Sequence, residues 1–219
     1  MQFTDLSRHW GIALTGGIAS GKSTIGESLR QRGFVVIDAD QASRLVVLPG
    51  TEGFKEVVTA FGQDILTATG EMDRAKMRDI VFKSPERRLV LETIIHHRLA
   101  AISEELLRRE KIFDQPATWF YEASLIFERG RAKDFSKVWV AYCPPDIQID
   151  RVMARDRSTR EQAERIIKSQ MSPEDKVKQA DLVIHTDCDR EELETRITEA
   201  LHTVSPTHIQ SSQKGVQRE

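Results

Sequence analysis

The chain has 219 residues, of which 39% are hydrophobic and 30% are charged, and its formal net charge is -2. This composition is typical of a folded domain, and the length suits one domain or one domain with a large insertion. A nearly neutral chain has no general attraction for nucleic acid or anionic membranes, so we expect neither as a partner. No apolar run approaches the roughly 18 to 20 residues that a membrane-spanning helix requires.

The cysteine content and the first residues indicate a compartment. The first ten residues contain no basic region followed by an apolar core, and the two cysteines, Cys143 and Cys188, lie far apart in the sequence. Two distant cysteines do not form a disulfide framework, so we expect a protein of the reducing cytoplasm. We expect a monomer or a small homo-oligomer.

The first forty residues are predicted to fold in the order strand, glycine-rich loop, helix, strand. Residues 10–15 are a short apolar run that ends in glycines, and residues 34–37 are a second apolar run. Between them, residues 21–32 have apolar side chains four positions apart, and Gly33 follows as a candidate helix C-cap. This order begins a parallel α/β fold.

The middle of the chain shows helical periodicity and no convincing strand between residues 51 and 111. We interpret this segment as a helical insertion between two strands of the sheet. Strands are then predicted at 118–122, 137–142 and 181–185. Residues 146–178 are predicted to be helical and rich in charge, a last helix covers 190–203, and the polar residues 205–219 are expected to be disordered.

The segment from Gly16 to Ser23, GGIASGKS, fits the pattern G-x-x-x-x-G-K-[ST] at every fixed position. Glycines let the backbone curl so that successive N–H groups point at phosphate oxygens, and the following helix adds its positive N-terminal dipole. Lysine can reach the β- and γ-phosphates, and the hydroxyl of Ser23 can ligate Mg²⁺. The candidate nucleotide-binding residues are Gly17, Ile18, Ala19, Ser20, Gly21, Lys22, Ser23 and Thr24.

Two carboxylates follow the second predicted strand. Asp38 and Asp40 lie at the carboxyl end of that strand, where parallel α/β sheets gather their ligands. Either one can accept a proton from an attacking hydroxyl or hold a water on Mg²⁺, and the spacing does not distinguish them. Arg44, one helical turn beyond Asp40, is a candidate to neutralise a substrate phosphate.

A cluster of arginines lies between residues 151 and 165. Five arginines are opposed there by only three acidic residues, and Arg151 and Arg155, four positions apart, share one helix face. Guanidinium groups suit phosphate oxygens and the charge that develops on a transferring phosphoryl group. We therefore predict an arginine-rich lid that also excludes water from the reaction.

The segments ALTGGIASGKST and VIDADQASRLVVLPG together resemble those of the dephospho-coenzyme A kinase family. Four further segments are similar to that family: GEMDR, which contains Arg74; IIH, which ends at His96; SLIFE; and RVMARD. In addition, Gln170 lies where the lid helix of the family usually ends in glutamine. The resemblance covers roughly residues 10 to 203, and the segments occur in the same order and at similar spacing.

This resemblance implies a P-loop kinase fold, with a five-stranded parallel sheet, a helical substrate domain and a lid. It implies ATP-dependent phosphorylation of the ribose 3′-hydroxyl of dephospho-coenzyme A, the last step of coenzyme A synthesis, with ATP and Mg²⁺ as cofactors. It favours Asp40 as the base, Arg44, Arg74 and His96 as substrate contacts, and Glu122 as a carboxylate that assists Mg²⁺ through water. The expected organisation is a single kinase unit at 1–204, with core segments 10–50, 112–145 and 180–204, a substrate-binding insertion at 51–111 and a lid at 146–179.

The sequence departs from the family pattern at His97 and Ser124, where the family usually has proline. It also departs at residues 186–188, near the expected position of adenine, so the adenine contacts stay open. An alternative function is another small-molecule P-loop kinase, acting on a nucleoside monophosphate or a sugar. A GTP-binding switch protein is a further alternative, although the N-K-x-D segment that reads guanine is missing.

Overall fold

The computed structural model describes residues 2–204, and the tail predicted to be disordered at 205–219 lies outside them. The described chain divides into two compact units, one formed by residues up to 38 and from 107 onward, the other by residues 39–106. None of the described helices is both long and apolar enough to cross a membrane.

The first unit is built on one sheet of five parallel strands, which confirms the predicted fold class. The strand order is β2-β3-β1-β4-β5, so β1, which carries the glycine loop, is central. The strand β3 ends beside β1, because Leu14 pairs with Glu122, its last residue, whereas β4 pairs with Leu14 at Trp139 and continues to Tyr142. The strands are β1 (Gly11–Thr15), β2 (Val36–Asp38), β3 (Trp119–Glu122), β4 (Lys137–Tyr142) and β5 (Leu182–His185).

Six helices of the first unit flank this sheet or follow it. Between α2 and α10 and the sheet lies a core that includes Ile25, Leu29 and Ile197, each fully buried. Burial of this apolar surface is the main stabilising contribution to the unit. The helices are α1 (Phe3–Trp10), α2 (Lys22–Gln31), α7 (Pro145–Asp156), α8 (Arg160–Lys168), α9 (Pro173–Lys178) and α10 (Arg190–His202).

The second unit is helical. Its core contains Val46, Val57, Ile65 and Met77, with further apolar side chains of the long helix packed against them. This unit begins earlier than the insertion predicted at 51–111, because the helix that follows β2 already places Val46 in its core. Its helices are α3 (Ala39–Val46), α4 (Glu52–Phe61), α5 (Arg74–Lys83) and α6 (Pro85–Arg109), of which α6 continues past the unit boundary.

The helix α1 was not predicted, and the strand predicted to begin at Trp10 begins at Gly11. Residues 3–10 form a short amphipathic helix of about two turns. Leu6 is fully buried, Asp5 lies in the first turn and Arg8 lies in the last. A segment this short has too few apolar positions to reveal its period in the sequence. The helix ends where Gly11 packs against Trp119, since a Cβ at Gly11 would lie 2.8 Å from that indole ring.

The carboxylate of Glu194 links α10 to α2 and gives the fold a pH dependence. Its Oε2 accepts a hydrogen bond from Ser28 Oγ at 2.5 Å and another from Arg32 at 3.0 Å, and its Oε1 lies 2.9 Å from Arg190. The Ser28 hydrogen bond, followed by the Arg32 hydrogen bond and the nearby arginine charges, lowers the pKa of Glu194 below its usual 4.5.

We expect Glu194→Gln to reduce the free energy of unfolding at pH 7 by about 0.5–1.5 kcal/mol, because a half-exposed charged network contributes modestly. A carboxyl group with a lowered folded-state pKa stabilises the protein above its unfolded-state pKa, and this stabilisation is lost as the pH falls through the folded-state pKa. The difference between wild type and variant, measured by urea unfolding, should therefore shrink from pH 7 towards pH 3. A difference that is constant over this range would contradict the assignment.

Candidate active site

The glycine loop connects β1 directly to α2 and folds as a tight cradle. Three of its residues have positive φ angles, namely Gly16 at 153°, Ala19 at 57° and Gly21 at 85°. Residues with positive φ placed among residues with negative φ turn successive backbone N–H groups towards one side, which is the geometry that binds an anion. A left-handed conformation at a non-glycine residue such as Ala19 costs energy, and residues strained in this way cluster at functional sites.

The strands and loops next to the cradle leave no room for side chains at two of its glycines. A Cβ at Gly16 would lie 2.6 Å from the carbonyl oxygen of Ala141, which belongs to β4. A Cβ at Gly21 would lie 2.9 Å from Thr186, the residue after β5. The hydroxyl of Thr186 also donates to the carbonyl of Ser20 at 2.7 Å. The ends of β4 and β5 therefore fix the loop from behind.

A buried carboxylate, Glu122 at the end of β3, organises the start of α2. Its Oε1 lies 3.1 Å from Lys22 Nζ and accepts a hydrogen bond from Ser23 Oγ at 2.7 Å. Its Oε2 lies 3.4 Å from a guanidinium nitrogen of Arg30, which is on the same face of α2 as Lys22, about two turns further along. Because Glu122 is fully buried, these partners are needed to offset the loss of hydration of its charge.

The oxygen atoms at this point suit Mg²⁺. The Ser23 hydroxyl and the Glu122 carboxylate are hard oxygen ligands, and they already lie within hydrogen-bond distance of each other. Among residues 2–204 no group of three or more His, Cys, Asp or Glu side chains can hold a metal by itself. Mg²⁺ in phosphoryl-transfer sites is held by one or two protein oxygens together with the phosphates of the nucleotide, so the residues fit this ion.

The two candidate bases lie in different elements. Asp38 ends β2, and its Cα pairs with that of Glu122 in the sheet register. Asp40 follows in the first turn of α3, where its side chain is exposed. The structure therefore brings Asp38 to the same edge of the sheet as the glycine loop, and it places Asp40 two residues further along the chain, at the start of the second unit.

Arg151 on α7 is held more firmly than the sequence suggests. Its guanidinium group donates to the carbonyl oxygens of Ala19 at 3.3 Å and Thr186 at 2.6 Å. It also contacts the hydroxyl of Thr186 at 3.2 Å and the buried sulfur of Cys143 at 3.5 Å. Arg151 thus joins the glycine loop to the end of β5.

Arg155 differs from Arg151 in its surroundings. It is exposed and forms two hydrogen bonds with the adjacent Asp156, at 2.7 and 2.8 Å. These hydrogen bonds raise the pKa of Arg155 and lower that of Asp156. An exposed ion pair of this kind contributes little to stability, so it can exchange for another anion at small cost.

An open cavity of about 460 Å³ brings several of the predicted residues together. Its walls come from the glycine loop, the start of α2, the helix α7 and the turn between β5 and α10. Burial raises the pKa of Cys188, which lies in the wall, and that of Cys143, which lies behind Arg151. The cavity is lined by Ala19, Gly21, Thr24, Arg151, Arg155, Thr186, Cys188, Asp189, Arg190 and Leu193.

Three predicted substrate contacts belong to the second unit. Arg44 lies in the last turn of α3 and Arg74 is the first residue of α5, and both are exposed. His96 is half-buried in the middle of α6, next to Ile94 and Ile95, which pack on the core of this unit. Within the same unit, Arg98 forms a two-pronged ion pair with Glu56, at 2.6 and 3.1 Å.

Sequence reasoning missed the roles of Thr186 and Arg30. The contact between Thr186 and Gly21 is long-range, and a single sequence contains no signal for it. The position of Arg30 next to Glu122 has a weak signal, because residues 22, 26 and 30 are four apart and share one face of α2.

A parallel sheet with the glycine loop on its central strand, an acidic residue ending the adjacent strand and an arginine-bearing helix beyond the cavity define a P-loop kinase. The family model described as "Dephospho-CoA kinase" matches residues 10–192. The chain belongs to the dephospho-CoA kinase family, as the sequence resemblance indicated.

Curated relatives agree with the family model. The chain is 41% identical over 188 residues to a dephospho-CoA kinase of Geobacter sulfurreducens, covering 86% of this chain and 95% of the relative. It is 42% identical over 183 residues to a dephospho-CoA kinase of Geobacillus kaustophilus, covering 83% of this chain and 90% of the relative.

Solved structures show the same fold. The crystal structure of TT1252 from Thermus thermophilus superposes with a TM-score of 0.77 at 29% identity, covering 90% of this chain and 98% of that one. A dephospho-CoA kinase from Campylobacter jejuni superposes with a TM-score of 0.61 at 27% identity, covering 89% and 96%.

We expect Gly26→Ala to lower turnover by at least about tenfold, because a Cβ there would lie 2.4 Å from Glu122 Oε2 and displace the carboxylate. Alanine favours the helix by about 1 kcal/mol relative to glycine, which offsets part of the strain. Steady-state kinetics and thermal unfolding separate the two effects. Glu27→Ala, on the exposed face of α2, is the control and should stay near wild type, whereas equal losses in the two variants would contradict the prediction.

Proposed function

We propose that this protein is a dephospho-CoA kinase that transfers the γ-phosphoryl group of ATP to the ribose 3′-hydroxyl of dephospho-coenzyme A. In this reaction the bond between the γ-phosphorus and the leaving oxygen of ADP breaks, a bond to the 3′-oxygen forms, and the hydroxyl proton leaves. The products are coenzyme A and ADP, at the final step of coenzyme A synthesis. The observation that carries the proposal is the match of the family model to residues 10–192, a range that includes the phosphate cradle.

We assign the nucleotide to the cradle formed by residues 17–24. The left-handed turns at Ala19 and Gly21 support this assignment, since they direct backbone N–H groups to one side. The adjoining cavity extends to Thr186 and Cys188, and we propose that it receives the base and ribose of ATP. These last two residues stand where the sequence left the adenine contacts open.

We propose that Ser23 holds Mg²⁺ and that Glu122 acts on it through water. Bound there with the nucleotide, Mg²⁺ would neutralise charge on the phosphates. The contacts of Glu122 with Ser23 and Lys22 support this role, because one buried carboxylate orients both the hydroxyl ligand and the ammonium group. The ammonium group of Lys22 stabilises negative charge on the transferred group.

We propose Asp40 as the base that accepts the 3′-hydroxyl proton, with Asp38 as the alternative. The family resemblance favours Asp40, and its exposed carboxylate at the start of α3 is accessible to a substrate. Asp38 has the stronger positional argument, because it ends β2 in register with Glu122. A general base contributes about 100-fold or more to the rate, so the two residues can be separated by kinetics.

We propose two different functions for the lid arginines. Arg151 donates to the carbonyls of Ala19 and Thr186, so it holds the cavity wall in shape while presenting its charge near the phosphates. Arg155 lines the same cavity and is paired only with a surface carboxylate, Asp156, among the contacts described for it. That pair is weak enough for Arg155 to transfer to a phosphate oxygen.

We assign the acceptor to residues of the helical unit. Arg44 and Arg74 are exposed cations that suit the phosphates of the substrate, and His96 lies half-buried on α6 of the same unit. We also propose that residues 146–179 act as the lid and that the protein works in the cytoplasm. Its two cysteines are free thiols, which supports a reducing compartment.

An assay of acceptors tests the function directly. We expect purified protein with MgATP to phosphorylate dephospho-coenzyme A, and to leave nucleoside monophosphates and sugars unmodified. Formation of ADP, coupled to a spectroscopic readout, and mass spectrometry of the acceptor provide the measurement. If dephospho-coenzyme A is inert and another acceptor is phosphorylated, the proposal is wrong. GTP turnover without any acceptor being phosphorylated would instead favour a GTP-binding switch.

Substitutions test the assigned residues. We expect Lys22→Ala and Asp40→Asn each to reduce kcat by about 100-fold or more, because one removes charge stabilisation and the other removes the base. Asp38→Asn is the matched comparison and should reduce kcat much less if Asp40 is the base. Circular dichroism and thermal unfolding should show folded protein for all three variants. Turnover near that of wild type in Lys22→Ala or Asp40→Asn would rule out the corresponding role.

A further inference from the structure

A side chain from the end of the lid holds the first half of the phosphate loop. The backbone N–H of Ile18 donates to Oε1 of Gln170 at 2.8 Å. Gln170 lies two residues beyond α8 and is half-buried. The amide of Ile18 is therefore directed at the lid, and the hydrogen bond joins positions 152 residues apart in the sequence.

The chain next to Gln170 is anchored. The backbone N–H of Met171 donates to Glu128 Oε1 at 3.0 Å, and the same oxygen lies 2.7 Å from Lys176 Nζ. Lys176 is fully buried and also donates to the carbonyl of Ser124 at 2.8 Å. Burial of an ammonium group is costly unless it is paired, so these contacts hold the start of α9 firmly against the segment that follows β3.

A second glutamine, Gln148, packs against the loop at Gly17. Gln148 on α7 is 1% exposed, and its side-chain amide makes no hydrogen bond with any of residues 2–204. A Cβ placed at Gly17 would lie 3.1 Å from its Nε2. Gly17 therefore has close packing on that side, and Gln170 provides the directional contact that sets the position of this half of the loop.

We propose that Gln170 is a positioning residue that couples the end of the lid to the phosphate loop. The backbone of its neighbour Met171 is anchored on Glu128, which is in turn paired with Lys176, and the hydrogen bond of Gln170 with Ile18 transmits that position to the cradle. A lid in its working position then holds the loop in the conformation that binds phosphate. This inference rests on the proposed function in one respect, namely that lid and loop act on the same molecule of ATP.

The test compares Gln170→Met with Gln162→Met. Methionine has a similar length but no amide oxygen, so Gln170→Met removes the acceptor for the Ile18 N–H. Gln162 lies in α8 and accepts a hydrogen bond from the Thr159 backbone N–H at 2.9 Å, within the capping box of that helix. Its substitution removes the same kind of bond from the lid without touching the loop. Gln170→Ser, which is too short to reach Ile18, serves as a second variant.

We expect amide hydrogen exchange in the peptide that contains Ile18 to become about fivefold to tenfold faster in Gln170→Met and Gln170→Ser, because one hydrogen bond of ordinary strength is lost. The Kd for ADP, measured by titration, should rise several-fold in the same variants. The ratio of ATP hydrolysis without acceptor to phosphorylation of dephospho-coenzyme A should also rise. Gln162→Met should leave all three quantities within about twofold of wild type.

Unchanged exchange and an unchanged Kd in folded Gln170→Met would overturn the coupling, and so would equal changes in Gln162→Met. Hydrogen exchange and ADP binding do not depend on the identity of the acceptor. If dephospho-coenzyme A is not a substrate but these two measurements change as expected, the proposed function fails and the coupling stands. If dephospho-coenzyme A is phosphorylated normally by every variant and the exchange is unchanged, the coupling fails and the function stands.

Discussion

The arrangement of the glycine loop and the start of α2 depends on the contacts of one buried carboxylate, that of Glu122. It is fully buried, and Lys22 and Arg30 supply two positive charges next to it while Ser23 donates a hydrogen bond. A buried charge is stable only with such partners, so the end of β3 and the first turns of α2 must pack in one arrangement. Gly26 makes this approach possible, since any side chain there would meet the carboxylate. The loop between β1 and α2 is thereby fixed at its helical end, and the turn after β5 fixes it from behind.

The sequence predicts the five strands of the sheet to within two residues at each end, because a parallel strand buried on both faces is a continuous apolar run. Helical periodicity also identifies the long middle segment. What it misses has a physical reason in each case. Helix α1 is too short to show a period, and the second unit begins at residue 39 because Val46 packs with residues of α4 and α5 rather than with the sheet. Packing partners decide such boundaries, and they are distant in sequence.

The candidate site also has a part that the sequence predicts and a part that it does not. The glycine loop is predictable because its chemistry is local: a cradle of N–H groups needs glycines, a lysine and a hydroxyl in fixed order. The surroundings of the loop are not local. Arg151 could be identified as a cation on the lid, but its hydrogen bonds to the carbonyls of Ala19 and Thr186 depend on the end of β5 meeting the loop. The hydrogen bond between Gln170 and Ile18 likewise joins residues that are 152 positions apart in the sequence.

The distribution of charge explains how a chain of net charge -2 can bind two phosphate-bearing molecules. The arginine excess of the lid is largely neutralised in the structure, because Arg155 pairs with Asp156, Arg160 with Asp146 and Glu164, and Arg165 with Glu161. These pairs are on the surface, where an ion pair contributes little to stability, so a phosphate that carries more charge can replace a carboxylate partner. Arg151 and Lys22 are different, since each is held by buried or half-buried atoms at the cradle. The protein thus combines positive charge held in place at the glycine loop, on Lys22 and Arg151, with surface arginines whose carboxylate partners can be exchanged.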